Sequence, residues 1–251
     1  MASDWISYND FAWTEDYLAP PEDYEREVSK LIEILKKNSP IKSRTLLHLA
    51  CGAGGYDTFL KEYFQVTGVD LSKGMLEMAR DRHAELEYLE GDMRSIRLNR
   101  KFDAVIIPDG IDYMKTEADL RRVFETCSLH LKPGGVLLIV AKTSETFQNN
   151  NFAYTGGKEN VHVTLLENNF INPQKPNTYE ATFVYLIRRS GEQTIHSESQ
   201  ILGLFPTKIW EKSFGDFGFR LRRYDFNGLY DDNLISEGEY PMFIFAGQKT
   251  S

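Results

Sequence analysis

The chain has little of what several specialised architectures require. Its 251 residues include two cysteines, Cys51 and Cys127. They lack metal-ligand spacing, and a disulfide framework needs more of them. No stretch approaches the roughly 18 consecutive apolar residues of a membrane-spanning helix. The opening residues, Met1-Ala2-Ser3-Asp4-Trp5, carry no basic region followed by an apolar core, so they do not read as a signal peptide. Basic clusters are short (Arg188-Arg189, Arg220-Leu221-Arg222-Arg223) in a chain of net charge −8. Without a basic footprint a nucleic-acid partner is disfavoured. There is no internal repeat and no low-complexity segment. His83, His130, His162 and His196 stand without identifiable partners and read as surface or structural groups. These absences leave a protein expected in the cytoplasm, with no membrane, metal or nucleic-acid partner. At 41% hydrophobic the chain can bury one sizeable core with an elaboration.

What is present is alternation. Glu25 to Asn38 carries Val28, Leu31, Ile32 and Leu35 at helical spacing. From Lys42 onward apolar runs at 45–50, 66–70, 86–90, 102–108 and 134–141 alternate with helical patterns at 54–64, 73–83 and 116–131. That order predicts an α/β fold, a doubly wound, mostly parallel sheet with helices on both faces. After Thr143 the pattern changes. Residues 145–160 read as loop. Three strand-like runs follow, at 161–167, 179–189 and 192–202, the last two joined by the hairpin turn Arg189-Ser190-Gly191-Glu192. Adjacent antiparallel strands in such a chain predict an inserted β cap. A helix at 206–217 and strands at 219–226 and 241–249 complete the main sheet, which totals seven strands. The expected division is an N-terminal aromatic segment with a helix (1–40), an α/β core (41–143), an antiparallel β cap (144–204) and a C-terminal return to the core sheet (205–251).

The most informative stretch is Leu46-Leu47-His48-Leu49-Ala50-Cys51-Gly52-Ala53-Gly54-Gly55, with Asp70 sixteen residues after Gly54 at the tip of the next apolar run. A turn nearly free of side chains lets a ligand approach the backbone, and a following helix start offers unpaired N–H groups. An acid at the next strand tip can accept from both hydroxyls of a ribose. The small residues alternate (Ala50, Gly52, Gly54), unlike the G-x-G-x-x-G spacing that suits a pyrophosphate. Alanine fits position 50 where φ is negative.

With Asp70, this pattern resembles the first two motifs of the class I S-adenosylmethionine-dependent methyltransferases. Later segments extend the resemblance over about residues 42–142. The family usually has an acid in place of His48 and a glycine in place of Ala50. The resemblance implies S-adenosylmethionine as cofactor and S-adenosylhomocysteine as product. It implies a cofactor site built from Ala50, Cys51, Gly52, Gly54, Asp70, Leu71 and Pro108. In Gly91-Asp92-Met93, Asp92 accepts from the adenine amino group and the Met93 N–H meets a ring nitrogen. In Leu71-Ser72-Lys73-Gly74-Met75, Ser72 caps a helix and Met75 packs on the adenine or fills the core. The segment Pro108-Asp109-Gly110-Ile111-Asp112-Tyr113 lacks the acid-or-Asn, Pro, Pro, aromatic sequence of nucleic-acid and protein-glutamine methylating subgroups and looks like a small-molecule subgroup. Asp109, with Tyr113, is the first choice for the acceptor, as a base or as an orienting group. Asp112 as a cap and Tyr113 as core remain open. Tyr8-Asn9-Asp10-Phe11-Ala12 and Tyr17 resemble a segment that folds over the cofactor, or else a helix docked on the surface. Lys142-Thr143 gives a weak signal for pocket lining. The implied function is methyl transfer to the N, O or C of a small molecule. A non-catalytic cofactor-binding protein and a methyltransferase of macromolecules are the alternatives. A nucleotide-binding oxidoreductase is disfavoured by the turn.

Overall fold

The computed structural model describes residues 5–19, 21–228, 231–235 and 240–250. The opening residues 1–4, read above for a signal sequence, lie outside them. Five apolar runs form the parallel strands β1 (Thr45–Leu49), β2 (Gln65–Asp70), β3 (Glu87–Glu90), β4 (Phe102–Ile107) and β5 (Leu131–Ala141). β4 is buried along its whole length, as expected of a strand covered on both faces. Between them run α3 (Asp57–Leu60), α4 (Lys73–Arg82) and α5 (Glu117–His130), preceded by α1 (Glu15–Leu18) and α2 (Pro21–Asn38).

The cap is a four-stranded antiparallel sheet in sequential order: β6 (Asn150–Lys158), β7 (Val161–Phe170), β8 (Thr178–Arg189) and β9 (Glu192–Gly203). Helix α6 (Thr207–Asp216) then leads into β10 (Phe219–Asp225) and β11 (Phe243–Lys249). The main sheet has seven strands in the order β10-β11-β5-β4-β1-β2-β3, and β11 runs antiparallel to both of its neighbours. One face of this sheet packs Val105, Ile107, Phe124, Trp210, Phe214 and Phe245 into a core, and the other packs α2 through Val28, Leu31 and Leu35. Each such fully buried side chain contributes roughly 1.5–3 kcal/mol.

Three boundaries differ from the periodicity. The helix expected over 54–64 is α helical only at 57–60, because i→i+3 bonds such as Glu62 N–H to Phe59 O and Tyr63 N–H to Leu60 O tighten the chain into turns before β2. The strand expected at 134–141 begins at Leu131. Residues 150–158, read as loop, form β6, and Gly156 within it lies directly against the backbone of Tyr17. The hairpin between β8 and β9 turns at Ser190 (φ 49°) and Gly191 (φ 91°), both left-handed as a two-residue turn needs.

Candidate active site

The turn after β1 carries alternating left-handed residues: Ala50 (φ 55°), Gly52 (φ 54°) and Gly54 (φ 78°). The negative φ that would suit alanine is not what the turn adopts at Ala50. Alanine adopts the glycine conformation here, at a steric cost on the order of 1–2 kcal/mol. Gly52 is the open point of the turn: a Cβ added there would meet nothing within 4 Å. Gly54 faces the other way. A Cβ there would lie 2.9 Å from the Tyr88 hydroxyl, so this glycine seats the turn on its neighbours and does not reach the cavity. His48 is also turned away. Its Nδ1 shares a 2.7 Å hydrogen bond with buried Asp57, which also accepts from the Tyr88 hydroxyl at 2.9 Å.

Asp70 ends β2 facing the turn. Its carboxylate accepts from Gly52 N–H (2.9 Å) and Ser72 N–H (2.8 Å). Burial raises its pKa, and those two N–H groups pull it partly back. Ser72 caps α4, accepting from Met75 N–H, and donates to the Tyr8 carbonyl. Met75 both packs with Ala12 and Ala53 and reaches the cavity wall. Asp92 is held by Arg94, accepting from its backbone N–H (2.8 Å), Nε (3.0 Å) and Nη2 (2.6 Å). Burial works to raise the Asp92 pKa, but the Arg94 hydrogen bonds outweigh it and hold it low. Nε lies 3.0 Å from each carboxylate oxygen, so the Arg94 donors spread over both oxygens.

Asp109 follows β4 and opens onto the same space beneath the cap, its carboxylate accepting from Gly110 N–H at 2.6 Å. The surrounding protein desolvates it and pushes its pKa up, while the Lys142 charge draws it down. Lys142 does not line the cavity. It pairs with Asp112 and lies 3.3 Å from the Tyr179 hydroxyl, so Asp112 is an ion-pair partner rather than a helix cap. Tyr113 donates to Gln200 of β9 (2.8 Å) and is hydrogen-bonded to the Tyr8 hydroxyl. Burial raises both phenols well above 10, so both stay protonated.

The N-terminal segment does close over the strand ends. Tyr8 and Asn9 pack on Gly74, and Glu198 of β9 accepts from the N–H groups of Ile6 (3.2 Å) and Ser7 (3.1 Å). Tyr17 is not part of the cavity wall. Its ring meets Trp13 edge-on at 5.6 Å and its backbone lies on Gly156, so it seats this segment against the cap.

The cavity enclosed by turn, strand ends, N-terminal segment and cap has a volume of about 660 Å³, inside the roughly 300–1,000 Å³ typical of small-ligand sites. Of the expected residues, Ala50, Cys51, Gly52, Asp70, Leu71, Met75, Asp92, Met93, Pro108, Asp109 and Tyr113 come together on its wall. Tyr154 and Glu167 of the cap join them and were missed. The available signal was that Val163, Leu165, Glu167 and Asn169 alternate onto one face of β7, with polar residues at one end. The open backbone at Gly52 beside the Asp70 carboxylate fits an adenosine-type cofactor. Among the described residues no cluster of three potential metal ligands occurs, and no helix is long and apolar enough to cross a membrane.

Comparison with known proteins agrees with this geometry. Residues 46–135 match a family model described as a methyltransferase domain. A dTDP-3-amino-3,4,6-trideoxy-alpha-D-glucopyranose N,N-dimethyltransferase of Streptomyces venezuelae is 36% identical over 125 residues, 49% of this chain and 52% of that protein. The chain thus spans about half the length of this relative. A dTDP-4-amino-2,3,4,6-tetradeoxy-D-glucose N,N-dimethyltransferase of Saccharopolyspora spinosa is 29% identical over 79% of this chain and 80% of its own. The crystal structure of Streptomyces venezuelae DesVI superposes with a TM-score of 0.78 at 25% identity, covering 90% of this chain and 92% of that one. Residues 46–135 thus match a methyltransferase domain, and in fold and cofactor turn the chain is similar to the class I S-adenosylmethionine-dependent methyltransferases.

Proposed function

We propose that this protein methylates an amine of a small-molecule acceptor of the amino-sugar class. The observation that carries the reading is Asp109: a carboxylate at the end of β4, beside the cofactor turn, opening into a cavity closed by cap and N-terminal segment. When bound, S-adenosylmethionine supplies a methyl group on a sulfonium, whose leaving group is already activated. The chain's tasks are then to orient the acceptor and exclude water, which together supply up to about 7–11 kcal/mol.

In this reading Asp70 takes the ribose hydroxyls, Asp92 and the Met93 N–H take the adenine edge, and Met75 takes its face. Ala50, Cys51, Gly52, Leu71 and Pro108 shape the rest of that half. Asp109 holds the acceptor amine and receives the proton it sheds, and desolvation by the surrounding protein raises its pKa above the ordinary carboxylate value. Tyr113 and Tyr8 are neutral phenols beside it, hydrogen-bonded to each other, with Tyr113 also bonded to Gln200. Residues 41–143 and 205–251 supply the cofactor half together with Asp109 and Tyr113 of the acceptor half, and 1–40 with 144–204 supply the rest of the acceptor half. The dTDP-linked amino sugars in the names of both relatives motivate the acceptor class, and the predominance of acids on the cavity wall suits a cationic ligand over nucleic acid. Two buried free thiols, Cys51 and Cys127, suit a reducing compartment such as the cytoplasm.

The test is Asp109→Asn. Turnover on an amino-sugar acceptor should fall by about a hundredfold, while calorimetric affinity for S-adenosylmethionine stays unchanged. Equal loss of both would remove Asp109 from the acceptor half. Tight cofactor binding by the unaltered protein without turnover on any acceptor, free or dTDP-linked, would favour a non-catalytic role.

A further inference from the structure

The cap contributes a carboxylate that the cofactor motifs do not account for. Glu167 stands on the inner face of β7, between Leu165, which lines the same cavity, and Asn169, which is fully buried. Its position is fixed by built contacts. Asn169 divides its two amide N–H groups between Asn150 Oδ1 (2.9 Å) and Glu167 Oε1 (2.7 Å). The Tyr154 phenol, from the neighbouring β6, lines the cavity beside the same carboxylate. The Asn169 bond leaves most of the carboxylate's acceptor capacity unused at the cavity wall.

Across the cavity stands Asp109. The positive group that acts on both carboxylates is Lys142, and it is already paired with Asp112 and placed over the Tyr179 and Tyr240 rings (5.5 and 5.6 Å). One lysine matched to one aspartate leaves Asp109 and Glu167 facing a shared space with aromatic walls (Trp5, Tyr8, Tyr113 and Tyr154). Two carboxylates in such a space disfavour each other's ionised form unless a cation sits between them. Ring faces add to the attraction for a cation.

We infer that Glu167 is the second carboxylate of the acceptor site and that, with Asp109, it makes the pocket select an acceptor that enters as an ammonium. This rests on the methyl-transfer reading above and adds to it a specificity residue supplied by the cap. A hydroxyl acceptor of the same shape would leave both carboxylates uncompensated.

The test uses the full chain saturated with S-adenosylhomocysteine, titrated near neutral pH with cyclohexylamine, which is protonated there, and with cyclohexanol, its neutral counterpart. The unaltered protein should bind the ammonium at least about tenfold more tightly than the alcohol. Glu167→Gln keeps the volume and can still accept from Asn169. It should lose about tenfold for the ammonium, with unchanged affinity for cyclohexanol and S-adenosylhomocysteine. No preference for the ammonium in the unaltered protein, including binding of neither probe, overturns the inference, as does equal loss for both probes in Glu167→Gln. Failure of S-adenosylhomocysteine itself to bind overturns instead the methyl-transfer reading on which the inference rests.

Discussion

Ala50 stands in a conformation that favours glycine, and its neighbours explain why it is held there. The turn must bring the Gly52 N–H to the Asp70 carboxylate (2.9 Å) while Cys51 N–H bonds back to Val69 O (3.1 Å). Those bonds fix φ at Ala50 near 55° whatever the side chain. The nearby Gly110 (φ 84°) is required in turn, because a Cβ there would come within 2.8 Å of the Ala50 methyl. Ala50→Gly should therefore stabilise the protein by about 0.5–1 kcal/mol, the strain relieved exceeding the entropy glycine adds to the unfolded chain. Thermal unfolding checks this. A lower midpoint would mean that the methyl contact matters more than the strain. Sequence spacing marked position 50 as special but gave no sign of its φ, which is set by hydrogen bonds to Val69 and Asp70 that no local pattern shows.

At the scale of elements, the N-terminal segment and the cap act together. Glu198 of β9 gathers the N–H groups of Ile6 and Ser7, Gln200 accepts from Tyr113, and Gly156 of β6 admits the Tyr17 backbone. Gly156→Ala would set a methyl 1.7 Å from the Tyr17 carbonyl oxygen, a backbone atom that cannot rotate away. The expected result is a cost of about 1–3 kcal/mol concentrated at this contact. Hydrogen exchange over residues 5–19 should rise and S-adenosylmethionine affinity should fall, while the main sheet keeps its protection. Unchanged exchange in the segment would mean that it is held elsewhere. This contact also explains what the sequence hid. The parallel strands were legible because a strand covered on both faces reads as a continuous apolar run, as Val136-Leu137-Leu138-Ile139-Val140 does. β6 was not, because the residues it needs for packing, Gly156 and the polar Asn150 and Asn151, are the ones that usually mark a loop. Glu167 was hidden likewise. Its role depends on the partner strand β4 across the cavity, more than fifty positions earlier in the chain, and no local pattern carries that relation.

At the scale of the molecule, the two ends of the main sheet divide the work. The C-terminal strand ends carry Asp70, Asp92 and Asp109 toward the cavity, and the opposite end is held by Asp103. Its carboxylate accepts from the N–H groups of Arg44 and Thr45 (2.9 Å each), from Thr45 Oγ1 (2.9 Å) and from Lys132 Nζ (2.8 Å). Burial alone would raise its pKa, but these donors outweigh it and hold it at about 2, below the ordinary 3.8. A group depressed in the folded state adds stability above its unfolded value, and that stability is lost as pH falls through the folded one. Asp103→Asn should thus destabilise the protein by about 2 kcal/mol at neutral pH, and the difference should shrink as pH falls from 3.8 toward 2. Denaturant unfolding of both proteins across that window decides it, and a gap that stays constant down to the lowest pH would contradict the assignment.

Methyl transfer to an amine is tested most directly by incubating the protein with methyl-labelled S-adenosylmethionine and a panel of free and dTDP-linked amino sugars beside their hydroxyl counterparts, and locating the label by mass spectrometry and NMR. Label is expected on the amine nitrogen of an amino sugar and on none of the hydroxyl counterparts. Label on oxygen or carbon, or on no member of the panel while the cofactor binds, would contradict transfer to an amine.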